Sequence, residues 1–458
     1  MKLSYVAKIV DKNKKLKKAI FATIKIYRSA IKYMLKILDK EYIDIKDLKN
    51  LEQAKSLENL IHSTSKNTAK YEDFDKLYYK MPCYIRRELI RTSLGIYSSW
   101  YSNYQTWLKS DKSTKPPKLI YNHNQMPVFY KGNMYEELND GYVKLKLYSN
   151  NDWAYFIVKL NSGDLKYFNK YKDWTKSNPV LEKNGKIFSL RFCFKKDITR
   201  SNTPLKKQKV LGVDLNVKNT SAVCSVINID GTVISRKFIN CGKEKDHLNK
   251  MLQIKKACQK RNCIKSIYLD ELYLYNYNNY RSYYRRIDYA NKELAIQIAR
   301  QIVNFAINEN VDVIVFEHLD KKGKKSFLKE KLHFWNCKAV QNITASLAHK
   351  NGIHVNTICA CGTSKLAYDG SGEVSRHSSN RSICTFTTGK VYNCDLNASY
   401  NIASRYFIKE IQKSISEKKW LEVVTKVSSA SKRSTCTLDT LIKLRKVLSS
   451  PADLTVLA

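Results

Sequence analysis

Val210-Leu-Gly-Val-Asp214-Leu-Asn216 is an apolar run of four residues that ends abruptly in a carboxylate. Four residues are too few for a helix, so the run reads as a buried strand. It delivers Asp214 at its C-terminal end, where a sheet opens to solvent. A second such run, Val311-Asp-Val-Ile-Val-Phe316, ends in Glu317. A third stretch, Asn393-Cys-Asp395-Leu-Asn-Ala-Ser-Tyr-Asn-Ile-Ala403, sets Asp395 at the opening of a helix of small residues. One acid at a strand end is ordinarily a solvated edge residue. Three acids, from two strand ends and one helix start, make an all-oxygen site suited to Mg²⁺ or Mn²⁺. Two such ions can clamp the attacking and leaving oxygens of a phosphodiester. Asn216 and Asn397 are candidates to assist as neutral oxygen ligands.

The composition supports a polyanionic partner for that site. Lys plus Arg is 82 against 41 for Asp plus Glu, a formal charge of +41. An AT-rich genome raises Lys, Asn, Ile and Tyr, but it raises Glu as well, so it does not explain a twofold positive excess. A chain this basic repels itself unless a nucleic acid neutralises it. Membrane binding is the competing reading. The sequence has no run of about 18 apolar residues and no signal-peptide pattern at its start. The length, 458 residues, predicts two to four domains with ample core. The 12 cysteines are scattered, which favours a reduced, cytosolic protein over a disulfide scaffold.

Met1 to Val10 alternates as one strand. The next helix carries Ile20, Ile24, Tyr27, Ile31, Leu35 and Leu38 at core spacing. A second long helix, from about Tyr84 to Leu108, sets Arg86, Arg87 and Arg91 beside Trp100, Tyr101, Tyr104 and Trp107. These aromatics serve either as helical-hairpin core or as stacking surfaces for exposed bases. Lys115-Pro-Pro-Lys118 closes the helical region. From Val128 to about Phe194 short alternating strands, with a turn at Asn184-Gly185, predict a small antiparallel barrel or sandwich. Behind the Asp214 strand, Ser221–Ile227 and Thr232–Ile239 form a hairpin across Asp230-Gly231, which is how an RNase H-like domain begins. The following helical stretch, to about Asn308, is rich in Tyr and Arg. Arg281, Arg285 and Arg286 are its candidate nucleic-acid contacts, while Leu294, Ile298, Ile302 and Phe305 should pack on the sheet. After Glu317, Lys321, Lys322, Lys324 and Lys325 form a basic loop placed to hold a scissile strand.

Gly212-Val-Asp214-Leu-Asn216, Phe316-Glu317-His-Leu319 and Asp395-Leu-Asn-Ala-Ser-Tyr-Asn-Ile402 resemble the three split RuvC motifs of TnpB proteins and the miniature type V CRISPR effectors. The match runs in order from about Lys207 to Tyr406. The resemblance implies an RNA-guided DNA nuclease on an α/β RNase H-like (RuvC) fold, preceded by an α-helical recognition lobe and a small antiparallel β-barrel wedge domain. Asp214, Glu317 and Asp395 would be its catalytic, Mg²⁺-binding triad. Its partners would be a guide RNA and double-stranded target DNA, with the protein a monomer or an RNA-bridged homodimer in a prokaryotic cytoplasm.

The expected organisation is a first wedge strand at 1–11, the recognition lobe at 12–115 and the barrel at 116–206. Motifs I and II fall at 207–355, a ribbon-like insertion at 356–392, motif III at 393–410 and a helical extension at 411–458. The alternatives are a nuclease-inactive RNA-guided repressor, a guide-independent RNase H-like or Holliday-junction nuclease, and a transposase. All three acids are present, which counts against the repressor. A guide-free nuclease would not need some two hundred residues of basic N-terminal lobe.

The family places a zinc ribbon of two CxxC pairs between the Glu and the last Asp. Here Cys359-Ala-Cys361 is a CxC, Cys384 has no partner before Gly389, and Cys394 lies beside Asp395. Zinc would have to take Cys359, Cys361, Cys384 and Cys394, or borrow His354 or His377. A tetrahedral site wants tighter spacing, so a ribbon-shaped loop without metal is the expectation. Gly362–Gly372 is polar and turn-rich and reads as a mobile lid.

Overall fold

The computed structural model describes every residue except 12, 217–220, 269–280, 319–336, 379, 381 and 449–458. The chain divides into two units, Met1–Asp197 and Ile198–Ala458.

In the first unit, β1 (Lys2–Lys8) leads into α1 (Lys14–Ile45), whose N-terminus is capped by the Asn13 side chain accepting from the Lys15 N–H. The expected stripe from Ile20 to Leu38 is buried along α1. It packs with α4 (Cys83–Leu108). Between them lie α2 (Asn50–Ile61) and α3 (Asp73–Leu77), which occupy a polar stretch with no clear periodicity. On α4 the rings of Trp100, Tyr104 and Trp107 stack in series, with centroids 5.4 and 5.8 Å apart. The two indole N–H groups donate to the carbonyls of Pro117 and Thr114, so these aromatics fasten the linker after the helix.

The β region contains β2 (Tyr135–Glu137), β3 (Tyr142–Ser149), β4 (Asp152–Lys159), α5 (Ser162–Asn169), β5 (Thr175–Lys176), β6 (Val180–Asn184) and β7 (Ile187–Lys195). The Asn184-Gly185 turn joins β6 to β7, with Gly185 at φ +59°. β1 pairs antiparallel with β7, so the first strand does complete this sheet. The closed barrel, however, is not what forms. The described strands make a four-stranded sheet around β7 and a separate meander β2-β3-β4. Among the described residues a single bridge, Ile9 to Leu160, joins the ends of β1 and β4, while Val128, ahead of β2, bridges to Val180 of β6. β2 and β5, at three and two residues, are too short to carry a ladder around a closed barrel.

The second unit opens with β8 (Val210–Leu215), β9 (Ala222–Ile227), β10 (Val233–Ile239), α6 (Gly242–Tyr268) and α7 (Arg281–Asn308). There follow β11 (Val313–His318), α8 (Cys337–Lys350), β12 (His354–Cys359), the short β13 (Ser375–Arg376), β14 (Ile383–Thr385) and β15 (Val391–Asn393). Three helices close it: α9 (Cys394–Ser414), α10 (Glu417–Lys426) and α11 (Leu438–Val447). The main sheet runs β10-β9-β8-β11-β12, antiparallel through β8 and parallel beyond it.

The two-residue period of a strand decides which residues meet which helix. Val210, Val313 and Val315 join the core formed with Tyr400, Ala403 and Phe407 of α9. Leu211, Val213, Ile314 and Phe316 join the opposite core, with Leu294, Ile298, Ile302 and Phe305 of α7 and Val340 of α8. Asp214 shares its parity with Val210, and Glu317 with Val313 and Val315. Both acids therefore stand on the face covered by α9, and His318 belongs to the other. No helix among the described residues is long and apolar enough to cross a membrane.

Candidate active site

Register brings the first two acids together. Val213 of β8 pairs with Phe316 of β11, so Asp214 and Glu317 follow side by side at the C-terminal ends of parallel neighbours. The third acid arrives on α9, where the Asn393 side chain accepts from the Leu396 N–H and fixes the helix start one turn around Asp395. Asp214 is only 9% exposed. Its carboxyl is held well above the usual carboxylate range, first by burial and then by repulsion from Glu317 and Asp395. A hydrogen bond from Asn216 and the charge of Arg376 oppose the shift. Burial also raises Glu317, against a bond from Thr363 and the charge of Arg405. Asp395 is raised by burial, against Arg376 and Lys245.

Asp214 is thus the shared member, repelled by an acid from each neighbouring element. The donor set is all oxygen, charged and desolvated, which fits a hard divalent cation. Among the described residues, however, no three His, Cys, Asp or Glu side chains converge closely enough to hold one ion as they stand. One oxygen of Glu317 is engaged by the hydroxyl of Thr363.

Several sequence-based expectations need correction. Asn397 is fully buried and committed to backbone: its Oδ1 accepts from the Tyr368 N–H at 2.7 Å and its Nδ2 donates to the Leu366 carbonyl at 2.8 Å. It therefore has no oxygen to offer an ion. The stretch 362–372 is not a loose lid, because Asn397 and Asn401 tie it down and Thr363 and Ala367 are buried within it. Arg86 is 7% exposed and turned inward to Glu58 at 3.3 Å, so its guanidinium is part of the helical core and not of the surface. Arg87 pairs with the same carboxylate from an exposed position. Arg285 and Arg286 are exposed on α7, and Arg281 begins that helix. Lys321, Lys322, Lys324 and Lys325 lie outside the described residues.

The four cysteines proposed for zinc do not form one group. Cys359 and Cys361 are exposed, at and beyond the end of β12. Cys384 and Cys394 are buried with Phe386 and Ala367 in a small apolar core under the three-stranded sheet β13-β14-β15. Tyr368 adds its ring there, 5.7 Å from Phe386 and 5.3 Å from Tyr392.

The sequence reading missed a second polar row on α9. Asn397, Asn401 and Arg405, spaced by four, are all buried. Arg405 donates to the carbonyls of Cys359, Cys361, Ser434 and Cys436 at 2.7–2.9 Å. The four-residue spacing of long polar side chains among Ala and Ser was the available signal. Arg376 and Lys245, the cations that act on Asp395, were missed as well.

Residues 3–149 match the Aq_aa04 family. Over 242 residues, 48% of this chain and 74% of the relative, the sequence is 24% identical to the TnpB-like protein aq_aa05 of Aquifex aeolicus (strain VF5). At 24% identity this is a similarity to a TnpB-like protein. Among solved structures, the chain is similar to CasPhi-2 (Cas12j) bound to crRNA, with a TM-score of 0.54 at 8% identity over 89% of this chain and 98% of that one. It is also similar to a mini-RNA-guided endonuclease, CRISPR-Cas_phi3, with a TM-score of 0.53 at 11% identity over 88% and 92%. A Cas12f1–sgRNA–target DNA complex gives a TM-score of 0.50 at 14% identity over 88% and 98%. At these identities the likeness is one of fold: the chain shares the fold of these type V effectors.

Proposed function

We propose that this chain is an RNA-guided DNA endonuclease that hydrolyses phosphodiester bonds at a site formed by Asp214, Glu317 and Asp395. The observation that supports the reading is geometric: Asp214 and Glu317 end neighbouring parallel strands on the face of the sheet that α9 covers, and Asp395 stands in the first turn of α9. The fold is shared with effectors solved with guide RNA and with target DNA, and the charge of +41 suits the same partners. The guide would read sequence by pairing, while the protein reads duplex shape and a short flanking motif.

Asp214, Glu317 and Asp395 would hold Mg²⁺ or Mn²⁺. When bound, the ions supply activation of water and neutralisation of charge on the phosphodiester oxygens. The chain's own part is to bury the acids, to hold Asp214 between the other two, and to lend positive potential at Asp395 from Arg376 and Lys245. That potential suits a scissile phosphate.

The test is expression with the native flanking locus, sequencing of the co-purified RNA, and incubation with a plasmid matching its guide segment. Wild-type protein should linearise the plasmid in Mg²⁺. Asp214→Ala, Glu317→Ala and Asp395→Ala should each retain RNA and target binding without cutting. Because the three acids would act as one unit, double variants should be no worse than singles. Cleavage by Asp214→Ala, or the absence of bound RNA, would overturn the reading.

A further inference from the structure

One loop hydroxyl is aimed at a strand-end acid that lies 46 residues earlier in the chain. Thr363 is 1% exposed, and its Oγ1 donates to Oε1 of Glu317. The same oxygen lies 2.9 Å from the carbonyl of Ala360. A hydroxyl has a single proton, so it serves one acceptor at a time, and the ionised carboxylate is the stronger of the two. Among the described residues Oε2 of Glu317 makes no hydrogen bond, so one oxygen of the carboxylate is held and the other is left open.

The position of Thr363 is itself dictated by α9. Asn401 Nδ2 donates to the Thr363 carbonyl at 2.9 Å and to the Leu366 carbonyl at 2.9 Å. Arg405 clamps the carbonyls of Cys359 and Cys361 just before it, at 2.8 and 2.7 Å. From the strand side, Gln341 Nε2 donates to the Glu317 carbonyl at 2.9 Å and fixes the backbone under the acid. Asp395 sits in the first turn of the same helix that carries Asn401 and Arg405. One rigid element therefore delivers one acid and, through a four-carbonyl guanidinium clamp, sets the side chain that orients another.

We propose that Thr363 is a positioning residue for Glu317: it restrains Oε1 so that Oε2 is presented to a divalent ion, and the Asn401–Arg405 row of α9 holds Thr363 in place. This rests on the proposed nuclease site. Partners of this kind, one shell out from a ligand, are typically worth roughly 10–100-fold in metal affinity.

The test uses the full chain with its co-purified RNA and loads Fe²⁺ in place of Mg²⁺. With ascorbate and peroxide, the bound iron cuts the polypeptide beside its own ligands, and the fragments report occupancy without any DNA cleavage. Wild-type protein should be cut near residues 214, 317 and 395. Thr363→Val, which keeps shape and removes the hydroxyl, should raise the Fe²⁺ midpoint by roughly 10–100-fold, and Thr363→Ser should restore it. In DNA cleavage, Thr363→Val should lower kcat at limiting Mg²⁺, leave KM for target DNA unchanged, and recover with excess Mg²⁺. An unchanged midpoint in Thr363→Val, with cutting abolished by Asp214→Ala, would overturn the positioning role and leave the nuclease site standing. No cutting of wild type at these three places would overturn both.

Discussion

Gly212 of β8 lies directly beneath Ser399 of α9. A Cβ on Gly212 would collide with the Ser399 carbonyl oxygen and stand 2.9 Å from the Cβ of Ala403. The small residues of α9, Ala398, Ser399 and Ala403, are all buried at this approach. The strand that ends in Asp214 and the helix that opens with Asp395 therefore meet backbone to backbone, and their spacing sets the distance between two of the acids. Gly212→Ala should push them apart. Overpacking of this kind costs about 1–3 kcal/mol. The expected result is a lower melting temperature for the second unit and, under the proposed function, a loss of cleavage larger than the loss of folded protein. Full activity in Gly212→Ala would show that the acids tolerate a shifted helix.

The raised carboxyls make a prediction with a definite sign. Asp214, Glu317 and Asp395 bind protons more tightly in the folded chain than in the unfolded one. Without divalent ions, their contribution to stability is greatest below the usual carboxylate range. It is lost as pH rises through the elevated folded values. The metal-free protein should therefore lose stability on going from about pH 4 upward, less steeply in Asp214→Asn. At neutral pH Asp214→Asn should melt higher than wild type in chelator, by roughly 2–4 °C for each kcal/mol relieved. Mg²⁺ should close that gap by stabilising wild type alone. An Asp214→Asn protein less stable than wild type in chelator would contradict the assigned repulsion.

Much of this arrangement was legible because strands have a period of two. The apolar runs ending at Asp214 and Glu317 fixed two strand ends, and parity then put both acids on one face. What the sequence hid depends on which surfaces approach each other. Thr363 meets Glu317 across 46 residues, between a turn and a strand, with no local pattern to announce it. Arg405 looks like an ordinary solvated cation in the middle of a helix until the carbonyls it clamps are in view. Arg86 was misread although its period was informative. It shares a helical face with the buried Ile90, Ser93 and Tyr97, whereas Arg87 does not.

Arg86 and the pair Arg285 and Arg286 should now behave oppositely. Arg86→Ala removes a buried cation from Glu58, which keeps Arg87 as partner, so the cost should fall in the ordinary range of about 0.5–3 kcal/mol of stability. RNA affinity per folded molecule should not change. Arg285→Ala with Arg286→Ala, on an exposed face, should leave stability within about 0.5 kcal/mol. It should shallow the log–log salt dependence of RNA binding by roughly 0.7–0.9 for each phosphate that the protein no longer neutralises. A melting-temperature series beside a salt titration separates the two cases. An unchanged slope in the double variant would remove this face of α7 from the nucleic-acid surface.

The ribbon-shaped insertion offers the last test, because two different forces could hold it together. A zinc site would stabilise it through four ligands, and chelation would then unfold it. The structure buries Cys384, Cys394, Phe386 and Ala367 together, with the rings of Tyr368, Tyr392 and Tyr400 meeting edge-on or tilted beside them. Lys390 covers this cluster, its Nζ donating to the Tyr368 hydroxyl at 2.6 Å. Burial, followed by the neighbouring Cys384, pushes the Cys394 thiol up to about 12, so it packs here as a neutral thiol. Phe386→Ala should therefore cost about 3–5 kcal/mol of local stability. Cys359→Ser with Cys361→Ser, at exposed positions, should cost little. Protein purified without chelator should contain well under one zinc per chain, and a strong chelator should leave the melting temperature where it was. A full equivalent of zinc, lost in the Cys359→Ser/Cys361→Ser variant, would mean that metal and not packing holds the insertion, with Cys384 the next ligand to replace.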